Sequence, residues 1–553
     1  MEKSRNSVIL FLFYLSVFYP QTDVHSFATP SDHDFSYMKF VYNATDLPSE
    51  EVYDYIVVGG GTAGCPLAAT LSVNYSVLLL EKGSVPSAYP SVLHHDGILT
   101  TLTLEDNGKT PAERFTSEEG VANVRGRVLG GSSMLNIGVY SRAEKEFYAE
   151  SGIEWDMDLV KRAYEWIENS IVFLPNVSRW NSVVKQGLLE AGIGPNNGFN
   201  LNHIPGTKVT GSIFDNEGRR HGAAELLNRA DPENMRVAVH ATVERIIFSS
   251  NASSLSARGI VYSDSHGKSH KAFVRGNGEV ILSAGAIGSP QLLLLSGVGP
   301  KSYLSSVKIP VVHHEPNIGQ FMRDNPRYYI TILPPSPLVP SGGQTVGITR
   351  DFYIETLAGP PFSSTPFSLF PHPSIRIKIN STFGHIVGKF PGPSSYGSLT
   401  LQSSSDVKVG PNVRFNYYAH PLDLARCVSG TRKIGDLLRT NSLKPFKTQD
   451  LPGVEGFNFF GLPLPMNQTD NASFEKFCRE TTATFWHYHG GCLMGKVVDG
   501  DLRVRGINTL RVVDGSTFNL SPGTNPQATL MMLGRYAGLK MLKERSTCKG
   551  CSS

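Results

Sequence analysis

The sequence predicts an α/β protein in which a parallel sheet is interleaved with a second, α+β portion built on an antiparallel sheet. Two observations carry this. Near the N-terminus lies a strand–helix–strand pattern of about 30 residues, the repeating unit of parallel sheets. Residues 310–490 are instead rich in Pro, Ser, Phe and Tyr, with alternating stretches such as Asn412 to Tyr418 that read as antiparallel strands and long loops.

The first unit opens with Tyr53 to Val58, a short apolar run that reads as a buried strand. Gly59 to Gly64 form a turn, Cys65 to Leu71 an Ala/Leu helix, and Val77 to Leu80 a second buried strand that ends at Glu81. The same kind of pattern returns at Glu279 to Ser283, followed by a helix through Gln291 to Leu294, and a last helix is predicted from Pro526 to about Lys543. The expected organisation is a signal peptide over 1–26 and a nucleotide-binding domain in three pieces, 50–150, 221–310 and 486–545. A substrate domain would occupy 151–220 and 311–485.

Composition narrows the function. The chain has 553 residues, 40% hydrophobic and 18% charged, which excludes wholesale disorder. Its 54 Gly and 35 Pro show no short period, which excludes collagen. A formal charge of +3 without a dense basic run argues against a nucleic-acid partner. Lys3 and Arg5 followed by the apolar run Val8 to Phe18 have the shape of a secretory signal. No later run is long enough to span a bilayer, so no membrane partner is expected once that segment is removed. Eight Asn-x-Ser/Thr sequons, at Asn43, Asn74, Asn176, Asn251, Asn380, Asn467, Asn471 and Asn519, suit a secreted glycoprotein, with Asn74 and Asn519 set aside because they adjoin motifs. The six cysteines permit disulfides in that compartment without fixing their pairing. A monomer acting on a small molecule is the expectation.

Gly59-Gly60-Gly61-Thr62-Ala63-Gly64 is G-x-G-x-x-G between a predicted strand and helix. Gly59 permits the tight turn, Gly61 lets backbone approach a pyrophosphate, and Gly64 lets helix and strand pack closely. Glu81 closes the next strand, where a carboxylate holds ribose hydroxyls and disfavours a 2′-phosphate; FAD or NAD is therefore expected rather than NADP.

Three further blocks narrow the choice. Arg125-Gly-Arg-Val-Leu-Gly130-Gly131-Ser132-Ser133-Met-Leu-Asn136 and Gly285-Ala-Ile-Gly288-Ser-Pro290-Gln291 through Gly299-Pro300 resemble the two signatures of the glucose–methanol–choline (GMC) flavoenzymes. Trp486-His487-Tyr488-His489-Gly490-Gly491-Cys492, with Leu510 to Ser516, resembles the C-terminal active-site block of that family. Local segments such as His33-Asp-Phe-Ser-Tyr37, Gly152-Ile-Glu-Trp155 and Asp324-Asn325-Pro326 resemble the plant (R)-mandelonitrile (hydroxynitrile) lyase branch.

The resemblance implies bound FAD, a Rossmann-like FAD domain and a substrate domain on an antiparallel sheet. Cofactor contacts are implied for Gly59, Gly61, Thr62, Ala63, Gly64, Glu81, Gly130, Ser132, Asn136, Val243, Asp514, Gly515, Pro526 and Gln527. It also implies a disulfide between Cys427 and Cys478; Cys548 and Cys551 stay open between pairing and free thiols.

Catalysis is expected from His487, with Asn525 in the second position of the family's pair. Histidine takes and returns a proton near neutral pH, and an amide can donate to a substrate hydroxyl. Asn525 before Pro526 also has the makings of a helix N-cap. Trp486, Tyr488 and His489 are expected to meet substrate. No ligand spacing suggests a metal, since His487-x-His489 is insufficient. The branch predicts cleavage of an aromatic cyanohydrin to aldehyde and hydrogen cyanide. The alternative is alcohol oxidation, because Asn525 stands where the resembling lyases carry His.

Overall fold

A computed structural model describes residues 33–251, 254–359, 382–447 and 456–548. The segment 1–26 expected as a signal peptide, the sequon Asn380 and Cys551 lie outside the described residues, as do the side chains of Asn251 and Cys548.

The first sheet runs, edge to centre, Val41–Asn43, Met235–Val239, Val77–Leu80, Glu50–Val58 and Ser269–Leu282, all paired in parallel. Val77–Leu80 is buried throughout, as a strand covered on both faces must be. Register places Val58 beside Leu80 on one side and Leu282 on the other. The three strands therefore end level, and Gly59, Glu81 and Ser283 gather at one carboxyl edge, the position where open α/β sheets hold ligands. Ser254–Ser263 and Thr242–Asn251 extend the sheet antiparallel. Leu510–Val512 pairs in parallel with Ser269–Leu282, which delivers Asp514 to the same edge.

The helix Gly64–Ser72 is buried along its whole length. It packs against the C-terminal helix Gln527–Cys548, which begins one residue later and runs further than the predicted Pro526 to Lys543.

The second sheet runs Ala483–Thr484, Pro326–Ile332, Phe383–Lys389, Tyr353–Gly359, Thr345–Ile348, Gly206–Val209 and Asn196–Phe199. Every pairing is antiparallel except the last. Asn412 to Tyr418 departs from expectation: only Asn412–Val413 is strand, in a separate three-stranded sheet, because Asn416 and Tyr418 take positive φ and break the extended run. A core of its own backs the large antiparallel sheet and includes Trp180, Tyr328 and Phe474. The expected disulfide Cys427–Cys478 ties the helix Pro421–Arg439 to Asn471–Glu480 within that core.

Candidate active site

One cavity of about 1230 Å³ opens between the two sheets. It exceeds the roughly 300–1,000 Å³ that a single drug-sized ligand needs, so it has room for a dinucleotide and a substrate together. One end is lined by Gly59, Gly61, Thr62, Ala63 and Glu81, the other by Arg327, Glu355, Phe485, Trp486, His487 and Asn525.

The three glycines of the turn differ in what requires them. Gly59 has φ +106°, and a Cβ there would lie 2.4 Å from the Ser283 carbonyl oxygen. A Cβ on Gly64 would lie 2.0 Å from the Gly59 carbonyl oxygen. At Gly61 it would meet no protein atom nearer than 3.9 Å. Protein packing thus demands Gly59 and Gly64, whereas Gly61 keeps clear a space that belongs to a ligand. Glu81 accepts from Gly60 N–H (3.1 Å) and Gly83 N–H (2.8 Å), and each oxygen retains a lone pair for a ribose hydroxyl. Burial raises its pKa to about 7.

Ser132, Asn136, Val243, Asp514, Gly515, Pro526 and Gln527 all line the cavity. Gly130 does not: its N–H donates to the Gly60 carbonyl at 2.7 Å, so it braces the glycine turn while Gly131 reaches the cavity wall. The Asp514 carboxylate is consumed by the protein, accepting from Gly285 N–H, Ser289 Oγ and both Ser516 N–H and Oγ. It fixes the wall rather than offering a free charge. Asn136 Nδ2 donates to Gln527 Oε1 at 2.8 Å, locking the start of the last helix against the first signature.

His487 reaches the cavity from a strained loop. Trp486 has φ +58°, an unusual left-handed conformation for a bulky residue, costing roughly 1–3 kcal/mol. The Asp324 carboxylate accepts the His487 N–H at 3.1 Å and so anchors the backbone. The imidazole itself is buried, and its Nδ1 has no partner among the described residues. Burial, then Lys389, then His489 hold its pKa well below the usual histidine range. The neutral imidazole lines the cavity, and a ring kept uncharged by its surroundings has a lone pair with which to take a proton.

His489 lies two residues on, its Nδ1 2.9 Å from the His487 carbonyl and its Nε2 unpartnered. Trp486 lines the cavity as expected, with the Arg327 guanidinium 4.9 Å from its ring centre. Tyr488 lines the cavity too, and is held there by its hydroxyl donating to the Val124 carbonyl at 3.0 Å and by its ring packing on Phe115 and Phe415. The N-cap reading of Asn525 is corrected. Its Oδ1 accepts from the Tyr353 hydroxyl at 2.8 Å and its Nδ2 points at Glu355 Oε2, 3.4 Å away.

Sequence reasoning missed the charges behind this pair. Arg327, Glu355 and Lys389 are buried on adjacent strands of the second sheet. Arg327 stacks on Trp486 and Tyr329, and its Nε has no partner among the described residues. Lys389 donates to the Thr524 carbonyl at 2.9 Å, and burial lowers its pKa to about 8. A single charge within an apolar strand was the available signal.

Two GMC oxidoreductase family models match residues 53–327 and 393–534, and the chain belongs to that family. It is 60% identical over 547 residues to (R)-mandelonitrile lyase 1 of Prunus serotina, covering 99% of this chain and 97% of that one. It is 50% identical over 550 residues to the Sinalpyl alcohol oxidase Nec3 of Nesocodon mauritianus, covering 98% of each. Among solved structures, pyridoxine 4-oxidase from Mesorbium loti aligns with TM-score 0.75 at 21% identity over 89% of this chain, a likeness of fold. The cofactor is FAD. The residues present fit it: an open space over Gly61, an acidic group at strand end 81, and an unsatisfied imidazole at the far end of one continuous cavity.

Proposed function

We propose that the protein is an FAD-containing hydroxynitrile lyase that cleaves an aromatic cyanohydrin such as (R)-mandelonitrile to an aldehyde and hydrogen cyanide. Full-length likeness to the (R)-mandelonitrile lyases supports the reaction. The observation that supports the mechanism is the buried, neutral His487 in the cavity wall, beside Asn525 and the Arg327 and Lys389 charges.

His487 takes the proton of the cyanohydrin hydroxyl, and Asn525 holds that oxygen. As the oxygen becomes a carbonyl, the C–CN bond breaks and its electron pair leaves with cyanide. The imidazolium returns the proton to give hydrogen cyanide, so the sum is neutral. Arg327 and Lys389 supply positive potential in a dry site, where such charges act most strongly on developing anions. Bound FAD supplies a flat polar wall and, in this reaction, no net electron transfer. Phe485, whose ring centre lies 4.7 Å from that of His487, gives the pocket an aromatic side suited to an aryl group.

Alcohol oxidation is the second reading, favoured by the amide at 525 and by the likeness to an alcohol oxidase. The test mixes the holoenzyme with mandelonitrile, and separately with benzyl alcohol under anaerobic conditions. Cyanide release without loss of visible flavin absorbance supports the lyase; bleaching by the alcohol supports the oxidase.

The segment arrangement is read as a discontinuous FAD domain and substrate domain, acting as a monomer. Entry into the secretory pathway is part of the same reading, supported by the Cys427–Cys478 disulfide and by exposed sequons at Asn74, Asn176, Asn467 and Asn471. Asn519 is a poor acceptor because its Nδ2 already donates to the Ser151 carbonyl.

A further inference from the structure

Tyr353 and Glu355 sit two residues apart on the strand Tyr353–Gly359, so both side chains leave the same face. The Tyr353 hydroxyl lies 2.8 Å from Asn525 Oδ1 and 3.1 Å from Glu355 Oε2. That hydroxyl has one proton and two neighbours competing for it. Asn525 Nδ2, 3.4 Å from the same Oε2, closes the triangle. Glu355 and Asn525 both line the cavity.

The triangle has two consistent proton arrangements. With Glu355 as the acid, its O–H donates to the Tyr353 oxygen, Tyr353 donates to Asn525 Oδ1, and Asn525 turns N–H toward the cavity. With Glu355 ionised, Tyr353 and Asn525 N–H both donate to the carboxylate, and Asn525 Oδ1 loses its donor. The first arrangement offers a substrate oxygen a hydrogen-bond donor. The second draws that N–H toward the carboxylate and weakens the donor.

We propose that Glu355 is a positioning residue: as a carboxylic acid, acting through Tyr353, it holds the Asn525 amide as a donor to the substrate's oxygen, and losing its proton draws that N–H away from the substrate. This rests on Asn525 meeting substrate, as in the function proposed above.

The surroundings keep the acid form accessible near neutral pH. Burial pushes Glu355 up to about 7 against the opposing pull of Tyr353, Lys389, Asn525 and Arg327. Lys389 projects from Phe383–Lys389 over the Tyr353 ring, and Arg327 stands on Pro326–Ile332. His203 stacks on Tyr353, and Glu144 lies beside His203 and acts on Lys389. Across the cavity, His487 stays neutral.

The test uses holoenzyme and benzaldehyde, a neutral probe whose oxygen only accepts. Binding is read from perturbation of the flavin spectrum between pH 6 and pH 8. An acid titrating at about 7 falls from ten-elevenths to one-eleventh protonated over that interval, so the dissociation constant rises about tenfold. In Glu355→Gln, which cannot ionise, the constant stays flat; in Tyr353→Phe it is flat and already weak at pH 6. Toluene, lacking the oxygen, shows no slope. A flat wild type, no benzaldehyde binding at pH 6, or the wild-type slope persisting in Glu355→Gln overturns the proposal. If the slope is present but mandelonitrile yields no cyanide, the lyase reading fails and this one stands.

Discussion

The turn at residues 59–64 makes an asymmetric prediction. Gly61→Ala places a methyl where no protein atom lies within 3.9 Å, at a residue without positive φ, so the apo fold should lose no more than about 0.5 kcal/mol. Gly64→Ala drives a Cβ to 2.0 Å from the Gly59 carbonyl, more than an ångström inside contact, and should cost about 1–3 kcal/mol or more of fold stability. The flavin should respond in the opposite order of specificity. The Gly61 methyl fills the space of the pyrophosphate, so Gly61→Ala should fold yet lose its visible absorbance. The ligand's contribution to stability, about 4.1 kcal/mol when free cofactor is a thousandfold above its Kd, should vanish with it. The assay is thermal unfolding with and without added FAD, beside the ratio of flavin to protein absorbance. Wild-type flavin content and an undiminished FAD-induced shift in Gly61→Ala would refute the placement of the pyrophosphate over residue 61.

His487→Ala should lower cyanide release by about 10²–10⁴-fold while retaining flavin, measured by cyanide assay and visible spectrum. Because His487 is held well below the usual histidine pKa, wild-type release should persist at pH 6 and fade only further into acid; half-loss at or above pH 6.5 contradicts a neutral buried base. Arg327→Met should cut kcat/KM for mandelonitrile by roughly 100-fold with the fold intact by circular dichroism, as for loss of one preorganised charge. Replacing Cys427 and Cys478 by Ser opens a link between residues 51 apart and should cost about 4 kcal/mol, read by chemical denaturation.

The strand–helix–strand unit around Gly59 was legible because periodicity, glycine spacing and the closing Glu81 all point to one local structure. His487 was legible only through the block around it. What stayed hidden depends on strand neighbours distant in sequence. Glu355 and Lys389 become a site because Glu355 pairs with Val387 and Tyr353 with Lys389, a register that no local pattern encodes. What the sequence did not show at Tyr488 is its anchor, a hydroxyl donating to the Val124 carbonyl 364 positions earlier in the chain. Asn525 was given its cap role from Asn-Pro chemistry, whereas a buried tyrosine 172 positions earlier captures its carbonyl oxygen.

The proposed function requires an isoalloxazine ring against the His487 imidazole, between the Gly59–Gly64 turn and the Tyr353–Gly359 strand. A crystal structure of the flavin-loaded protein tests it most directly. The ring should lie in contact with His487 and Asn525 and the pyrophosphate over Gly61; a ring seated elsewhere, with His487 facing only protein or solvent, would rule this site out.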